Sequence, residues 1–242
     1  MPAIELNSTP LISDANLVYY WRMESNSSAT VGSNTGTETS VTHPTGKFGN
    51  GIHFNASSAR VLFPTLPTGT SGTISFWTKY TGTANEMIFS VSNSATSNRL
   101  QIGHSGLVNA NIEFLGGAAS NVNVLGWSAN TTTNDGNWHH FVVTTAGSGV
   151  KFYIDGIDRT SGGTYSAGNS STNFWFDSIT GANNFYMGAV RYNNTGPFLF
   201  FSGDMDDIAI FSRALTATEI SNLYSGTWPP STKPAFLLNF VN

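Results

Sequence analysis

The stretch GDMDDIAIFSRALTATEISNLYSG, Gly203 to Gly226, contains a strand and then a helix. MDDIAIF reads as a β-strand. TATEISNLYSG reads as a short helix: Thr216 can cap its start, Glu219 stands three residues later as the capping-box partner, and Gly226 can close its end. A helix of this length, placed after a final strand, is suited to plugging a sandwich. Upstream, apolar and polar residues alternate between turn clusters. In TISFWTKY, Ile74, Phe76, Thr78 and Tyr80 share one face, and Ser75, Trp77 and Lys79 share the other. In WHHFVVT, Trp138, His140 and Val142 oppose His139, Phe141 and Val143. Both faces of these strands are largely apolar or aromatic, as in a sandwich of two sheets. In VKFYIDG, Val150, Phe152 and Ile154 point one way, and Asp155-Gly156 supplies a hairpin turn. NEMIFSVS, RLQIG, NIEFLG and FYMGAV read as further strands, separated by segments rich in Gly, Ser, Asn and Thr.

The chain has 242 residues, of which 10% are charged and 13% aromatic, with a formal charge of −4. Its apolar content is too high for disorder. The acidic balance and the lack of a basic tract argue against nucleic-acid binding. No apolar run approaches a membrane-spanning length, so no membrane insertion is expected. With no Cys, disulfides, thiolate metal sites and cysteine nucleophiles are excluded together. MPAIELNSTPLISDANLVYYW lacks the basic start and apolar stretch of a secretory signal, so either a signal has been removed, or the protein is made in the cytoplasm and stays there or leaves by assembly. Asn-x-Ser/Thr occurs at Asn7, Asn26, Asn55, Asn130, Asn169 and Asn193, about as often as this composition gives by chance. Residues 1–14 form an expected N-terminal arm. Residues 227–242, TWPPSTKPAFLLNFVN, form a Pro-containing apolar tail in which Phe236, Leu237, Leu238 and Phe240 are candidate partner contacts.

Six segments, in this order, carry a resemblance: LVYYWRMES (17–25), TGKFGNGIHFN (45–55), TISFWTKY, NWHHFVVT (137–144), VKFYIDG and the closing 203–226 stretch. Together they resemble the laminin-G-like, concanavalin A-like jelly-roll domains, especially the LamG type 3 group of bacterial and viral proteins, over residues 15–226. The resemblance implies an all-β fold, a two-sheet antiparallel jelly-roll sandwich with about six or seven strands per sheet and one short C-terminal helix. It also assigns Trp21, Trp77 and Trp138 to packing. Fold alone does not give function.

The chemistry is read from particular residues. Retaining glycosidases need two carboxylates about 5–5.5 Å apart. The Glu-x-Asp-x-x-Glu strand of the related glucanases is absent here. Asp204 and Asp206 share a strand face but lie in the closing motif. Gln101-Ile102-Gly103-His104 is a poor echo of a polysaccharide-lyase strand, and no catalytic residue is assigned. His139 and His140, adjacent on a strand, face opposite ways and cannot chelate one ion together. Calcium prefers six to eight oxygens. The resemblance implies such a site between the opening and closing motifs, with Glu24, Asn50, Asp206 and Asp207 as candidate ligands. Asn55, where the family commonly has an acid, weakens that set. For glycans, the candidates are Trp127, Trp175 with Asp177, and Tyr192 with Arg191 and Asn193, all in or beside long loops. Phe198 to Phe201 form either a buried strand or a contact surface.

Three functions remain open on this reading. The first is a non-catalytic structural or adhesive module on the exterior of an assembly, most readily a phage virion decoration or tail protein able to bind host-surface glycans. The second is a secreted or cell-surface carbohydrate-binding lectin, and the third a glycan-active enzyme, which the missing carboxylate spacing disfavours. The expected partners are other subunits or a second copy, with cell-surface glycans as the ligand class. The expected location is the virion surface, or outside the cell if a signal has been removed.

Overall fold

The computed structural model describes residues 13–104, 112–118 and 123–226. Phe236, Leu237, Leu238 and Phe240, and most of the 1–14 arm, lie outside the described residues. The chain forms β1 (Leu17–Trp21), β2 (Thr37–Thr39), β3 (Ile52–Asn55), β4 (Arg60–Phe63) and β5 (Gly72–Lys79). There follow β6 (Glu86–Ser92), β7 (Arg99–His104), β8 (Ile112–Gly117), β9 (Asn123–Ser128) and β10 (His139–Thr145). The last elements are β11 (Val150–Ile154), β12 (Ile157–Asp158), β13 (Thr164–Ala167), β14 (Asn184–Met187), β15 (Ser202–Phe211) and the helix α1 (Ala217–Ser225).

These strands build two antiparallel sheets. The seven-stranded sheet runs β1-β15-β5-β10-β11-β12, with β3 also pairing β15. The eight-stranded sheet runs β13-β9-β8-β7-β6-β14-β4-β2. The expected alternation decides what lies between them. Ile74 and Phe76 of β5, Phe141 and Val143 of β10, and Phe152 and Ile154 of β11 face inward and are buried. They meet Phe89, Val91, Leu100, Ile102, Phe114 and Phe185 from the other sheet in one continuous core. Aromatic contacts set its thickness: Trp21 lies 4.9 Å from Phe63, and Phe63 stacks on Phe185 at 4.6 Å. Asp155 and Gly156 turn the β11–β12 hairpin with φ of 53° and 75°, the left-handed pair that Asp-Gly favours.

The outer face of the seven-stranded sheet is also covered. Ile220 and Leu223 of α1 are buried against Tyr20, Val142, Tyr153, Ala209 and Phe211. Burial of each such side chain contributes about 1.5–3 kcal/mol. The helix begins as its sequence dictates. Thr216 Oγ1 accepts the Glu219 N–H at 3.3 Å, Glu219 Oε2 accepts the Thr216 N–H at 2.8 Å, and Gly226 is left-handed at φ 71°. Arg213 ties Glu219 at 2.7 Å to Asp14 at 2.8 Å, holding the start of the described chain beside the helix.

The Phe198–Phe201 run is not a continuous strand but makes single bridges at Phe198 and Phe200. Phe201 is fully buried, while Phe198, Leu199 and Phe200 are partly covered in a segment that crosses the eight-stranded sheet. Trp138 is partly exposed, with the Lys79 ammonium 5.3 Å from its ring, so it packs less completely than Trp21 and Trp77.

Candidate functional site

The outer face of the eight-stranded sheet contains a groove of about 310 Å³. Register builds its floor in rows. Gly103 pairs with Glu113 and Glu113 with Ser128; Gln101 pairs with Leu115 and Leu115 with Gly126. Arg99, opposite Gly117, stands in the next row. Alternation alone therefore puts Arg99, Gln101 and Gly103 on the face away from the core, where Leu100 and Ile102 point the other way. Two glycines keep the floor low. A Cβ on Gly103 would come within 2.2 Å of the Glu86 carbonyl oxygen, and one on Gly126 within 2.2 Å of Ser166 Oγ.

The walls come from loops. Residues 189–200 fold back over the sheet because Ser90 Oγ donates to the Ala189 carbonyl at 2.7 Å and Ser92 Oγ donates to that of Arg191. Asn193 and Asn194, with φ of 52° and 56°, turn this segment, and their N–H groups donate to the Thr96 and Ser94 carbonyls. The segment brings Tyr192 and Leu199 to the groove, and Ser166 of β13 lines the opposite wall. The Arg99 guanidinium lies 4.4 Å from the Tyr192 ring centroid. Its Nε donates to Gln101 Oε1 and its Nη1 donates to the Ser97 carbonyl at 2.7 Å, while Gln101 Nε2 contacts Met87 Sδ at 3.0 Å. Burial draws the Arg99 pKa below its ordinary value, yet a guanidinium stays charged. Among the described lining residues Glu113 is the one carboxylate. It lies four residues along the ladder from Arg99, about 13 Å. The groove thus offers an aromatic edge, an amide, hydroxyls and a cation over a small-residue floor, with charges of opposite sign at its two ends.

Of the glycan candidates, Tyr192 lines this groove. Arg191 and Asn193 flank it but serve the loop, Arg191 Nε donating to the Thr195 carbonyl at 3.0 Å. Trp127 and Trp175 are corrected: each is 1% exposed and neither offers a ring face to a ligand. Trp127 is on the inner face of β9, flat against Phe152 at 4.2 Å and 5°. Trp175 packs on Phe176, and Asp177 beside it accepts the Gly69 N–H at 2.8 Å, away from the groove. Arg99, Glu113 and Ser128 line the groove without having stood out in the sequence, and Gln101 stood out only in the weak lyase-like Gln101–His104 segment. The available signal was polar residues on the non-core face of RLQIGH and NIEFLG.

Three of the four candidate calcium ligands meet at the 45–51 loop, and all four are engaged by protein groups. Glu24 Oε1 is paired with Arg22 at 2.8 Å, and Glu24 Oε2 accepts the Asn50 N–H at 3.0 Å. Asn50 turns its amide nitrogen, a donor, to the Glu24 carbonyl. Asp206 Oδ2 accepts the Phe48 N–H and Oδ1 the Asp207 N–H, both at 2.8 Å. Asp207 Oδ1 accepts the Tyr20 hydroxyl at 2.6 Å. Burial, reinforced by the neighbouring Asp207, raises the Asp206 pKa to about 8. Glu24 and Asp206 anchor the 45–51 loop through its N–H groups, and among the described residues no group of three or more His, Asp or Glu could hold a metal ion. Nor do Asp204 and Asp206 form an open catalytic pair. Asp204 binds His53 at 2.7 Å and Lys79 at 2.8 Å, while Asp206 is fully buried. The adjacent histidines diverge as expected, His139 to Asp155 and Asp135, His140 Nε2 to Ser75 Oγ at 2.8 Å.

Comparison with known proteins agrees with this architecture. A family model described as the concanavalin A-like lectin/glucanases superfamily, Laminin_G_3, matches residues 48–221. No curated protein matches the chain. Among solved structures, it is similar to domain 4 of AbnA, an extracellular arabinanase from Geobacillus stearothermophilus in complex with arabinotriose, at 20% identity and TM-score 0.65, over 88% of this chain and 100% of that one. The botulinum neurotoxin serotype D binding domain follows at 16% identity and TM-score 0.62, over 87% of this chain and 52% of that one. Trypanosoma rangeli sialidase matches at 16% identity and TM-score 0.62, over 89% and 33%. At these identities the likenesses show the fold. With its two antiparallel sheets, its capped closing helix and a family match across most of its length, the chain belongs to the Laminin_G_3 family of the concanavalin A-like lectin/glucanases superfamily.

Proposed function

We propose that the protein is a non-catalytic carbohydrate-binding module whose ligand lies in the groove on the eight-stranded sheet. The observation that carries this reading is the lining itself: Gln101, Ser128, Arg99 and Tyr192 around a floor of small residues, with one carboxylate, Glu113, among the described lining residues. Ligand sites combine an apolar or aromatic wall with a few placed polar groups, and a sugar's hydroxyls require both donors and acceptors. Glycoside hydrolysis by the usual route needs two carboxylates flanking the bond, so binding without cleavage is what this lining supports. The solved arabinanase domain of similar fold, in complex with arabinotriose, adds support. The further reading, a module on the exterior of an assembly such as a phage virion, rests on terminal segments outside the described residues, and the groove does not depend on it.

The test is a glycan array probed with the intact protein and with Leu115→Trp, which fills the centre of the groove. Oligosaccharide binding that is lost in L115W, with an unchanged melting temperature, is the expected result. Binding that survives L115W would move the site elsewhere. A silent array would overturn the lectin reading.

A further inference from the structure

We infer that the groove selects glycans bearing a carboxylate, and that Arg99 is the residue that reads it. This rests on the groove being a glycan site. Arg99 is 7% exposed, yet it forms no ion pair with any described residue. Two of its nitrogens are occupied, Nε by Gln101 and Nη1 by the Ser97 carbonyl. Its third nitrogen, Nη2, donates to no described residue and belongs to a side chain that lines the groove. Tyr192 lies against the guanidinium and fixes its plane.

A guanidinium taken from water without a counter-charge is destabilising, and a carboxylate brought to it recovers much of that loss. The resulting bond is charge-assisted, stronger than a neutral one, and directed by the fixed plane of the donor. Glu113 reinforces the selection. It stands about 13 Å away along the ladder, so an acidic sugar is attracted at the Arg99 end and repelled at the other. A neutral sugar gains neither effect. The carboxylate could belong to a uronic acid or to a sialic acid, since both place it on a pyranose ring.

The experiment is calorimetric titration of the intact protein with trigalacturonate and its methyl ester, and with sialyllactose and lactose. Each pair differs at the acid, by esterification in the first and by the sialyl unit in the second. The expected result is at least about tenfold tighter binding of the acidic member of one pair, with an affinity that falls as salt rises. The pair that discriminates identifies the sugar. Arg99→Gln should remove the discrimination, and Arg99→Lys should restore part of it. The acid-to-neutral ratio is read on the unaltered protein, so it stands even where an Arg99 variant fails to fold. If acidic and neutral members bind equally and L115W abolishes both, acid selection is overturned and the glycan groove remains. If none of the four binds and the array is silent, both readings fall.

Discussion

On the outer face of the seven-stranded sheet, Tyr20, Val142, Tyr153 and Ala209 lie beneath Ile220 and Leu223 of the closing helix, whereas the equivalent face of the eight-stranded sheet carries Gln101, Leu115 and Ser128 along an open groove. Both faces are built by the same pleat, and both have polar residues among apolar ones. They differ in what the chain lays over them. The first receives a capped helix and the 45–51 loop, whose N–H groups satisfy Asp206 and Glu24. The second receives the 189–200 segment, which among the described residues leaves the middle of the face uncovered. Polar residues under cover become anchors, and polar residues beside an opening keep their hydrogen-bonding groups toward it.

The largest expected effect tests the boundary between core and groove. Trp127→Ala removes the ring stacked on Phe152 and should destabilise the fold by about 3–5 kcal/mol in urea unfolding. Were Trp127 a sugar platform, the change would instead reduce glycan affinity with little loss of stability. Leu223→Ala should cost about 2–5 kcal/mol by opening the cover of the seven-stranded sheet, while glycan binding on the far face persists. Loss of binding in L223A at a temperature where the protein remains folded would show that the two faces are coupled.

The buried Asp206 gives a pH signature. Its folded pKa, about 8, exceeds the ordinary 3.8, so between those values the folded protein holds a proton that the unfolded chain has released. Stability from this group therefore falls as pH rises through that window. D206N, whose amide faces one of the two N–H donors, should be less stable at low pH. Its decline across the window should be shallower than that of the unaltered protein, by at least ~1 kcal/mol. Parallel curves would show that Asp206 ionises normally. The smallest effect is expected from chelation. EDTA should leave both the melting temperature and the array pattern unchanged, because Glu24, Asn50 and Asp206 are already engaged with backbone groups and Arg22. A drop in either would restore calcium to this loop.

The fold was readable because its determinants are local or periodic. Alternation in TISFWTKY and VKFYIDG groups Phe76 with Ile74 and Phe152 with Ile154 on shared faces, and Thr216, Glu219 and Gly226 bound the helix, all as found. Of the groove lining, Tyr192 alone is a glycan candidate legible in the sequence. Aromatics beside long loops suit sugar platforms, but Trp127 points inward near the end of β9 and Trp175 packs in the core, so apolar burial draws both rings under cover. Arg99 and Gln101 looked like ordinary outward strand residues.

Sequence by itself determined which residues of each strand share a face, since side chains alternate with a fixed period of two, and where the helix starts and stops, since its caps lie within a few residues of one another. Only the tertiary structure decided which outward face is closed and which is open. That choice depends on segments far apart in the chain: Ser90 and Ser92 capturing the carbonyls of Ala189 and Arg191, and Phe48 reaching Asp206. Contacts across about 100 to 160 residues leave no periodic trace, because they are fixed by how the sheets bring the strands together rather than by the spacing of residues along them.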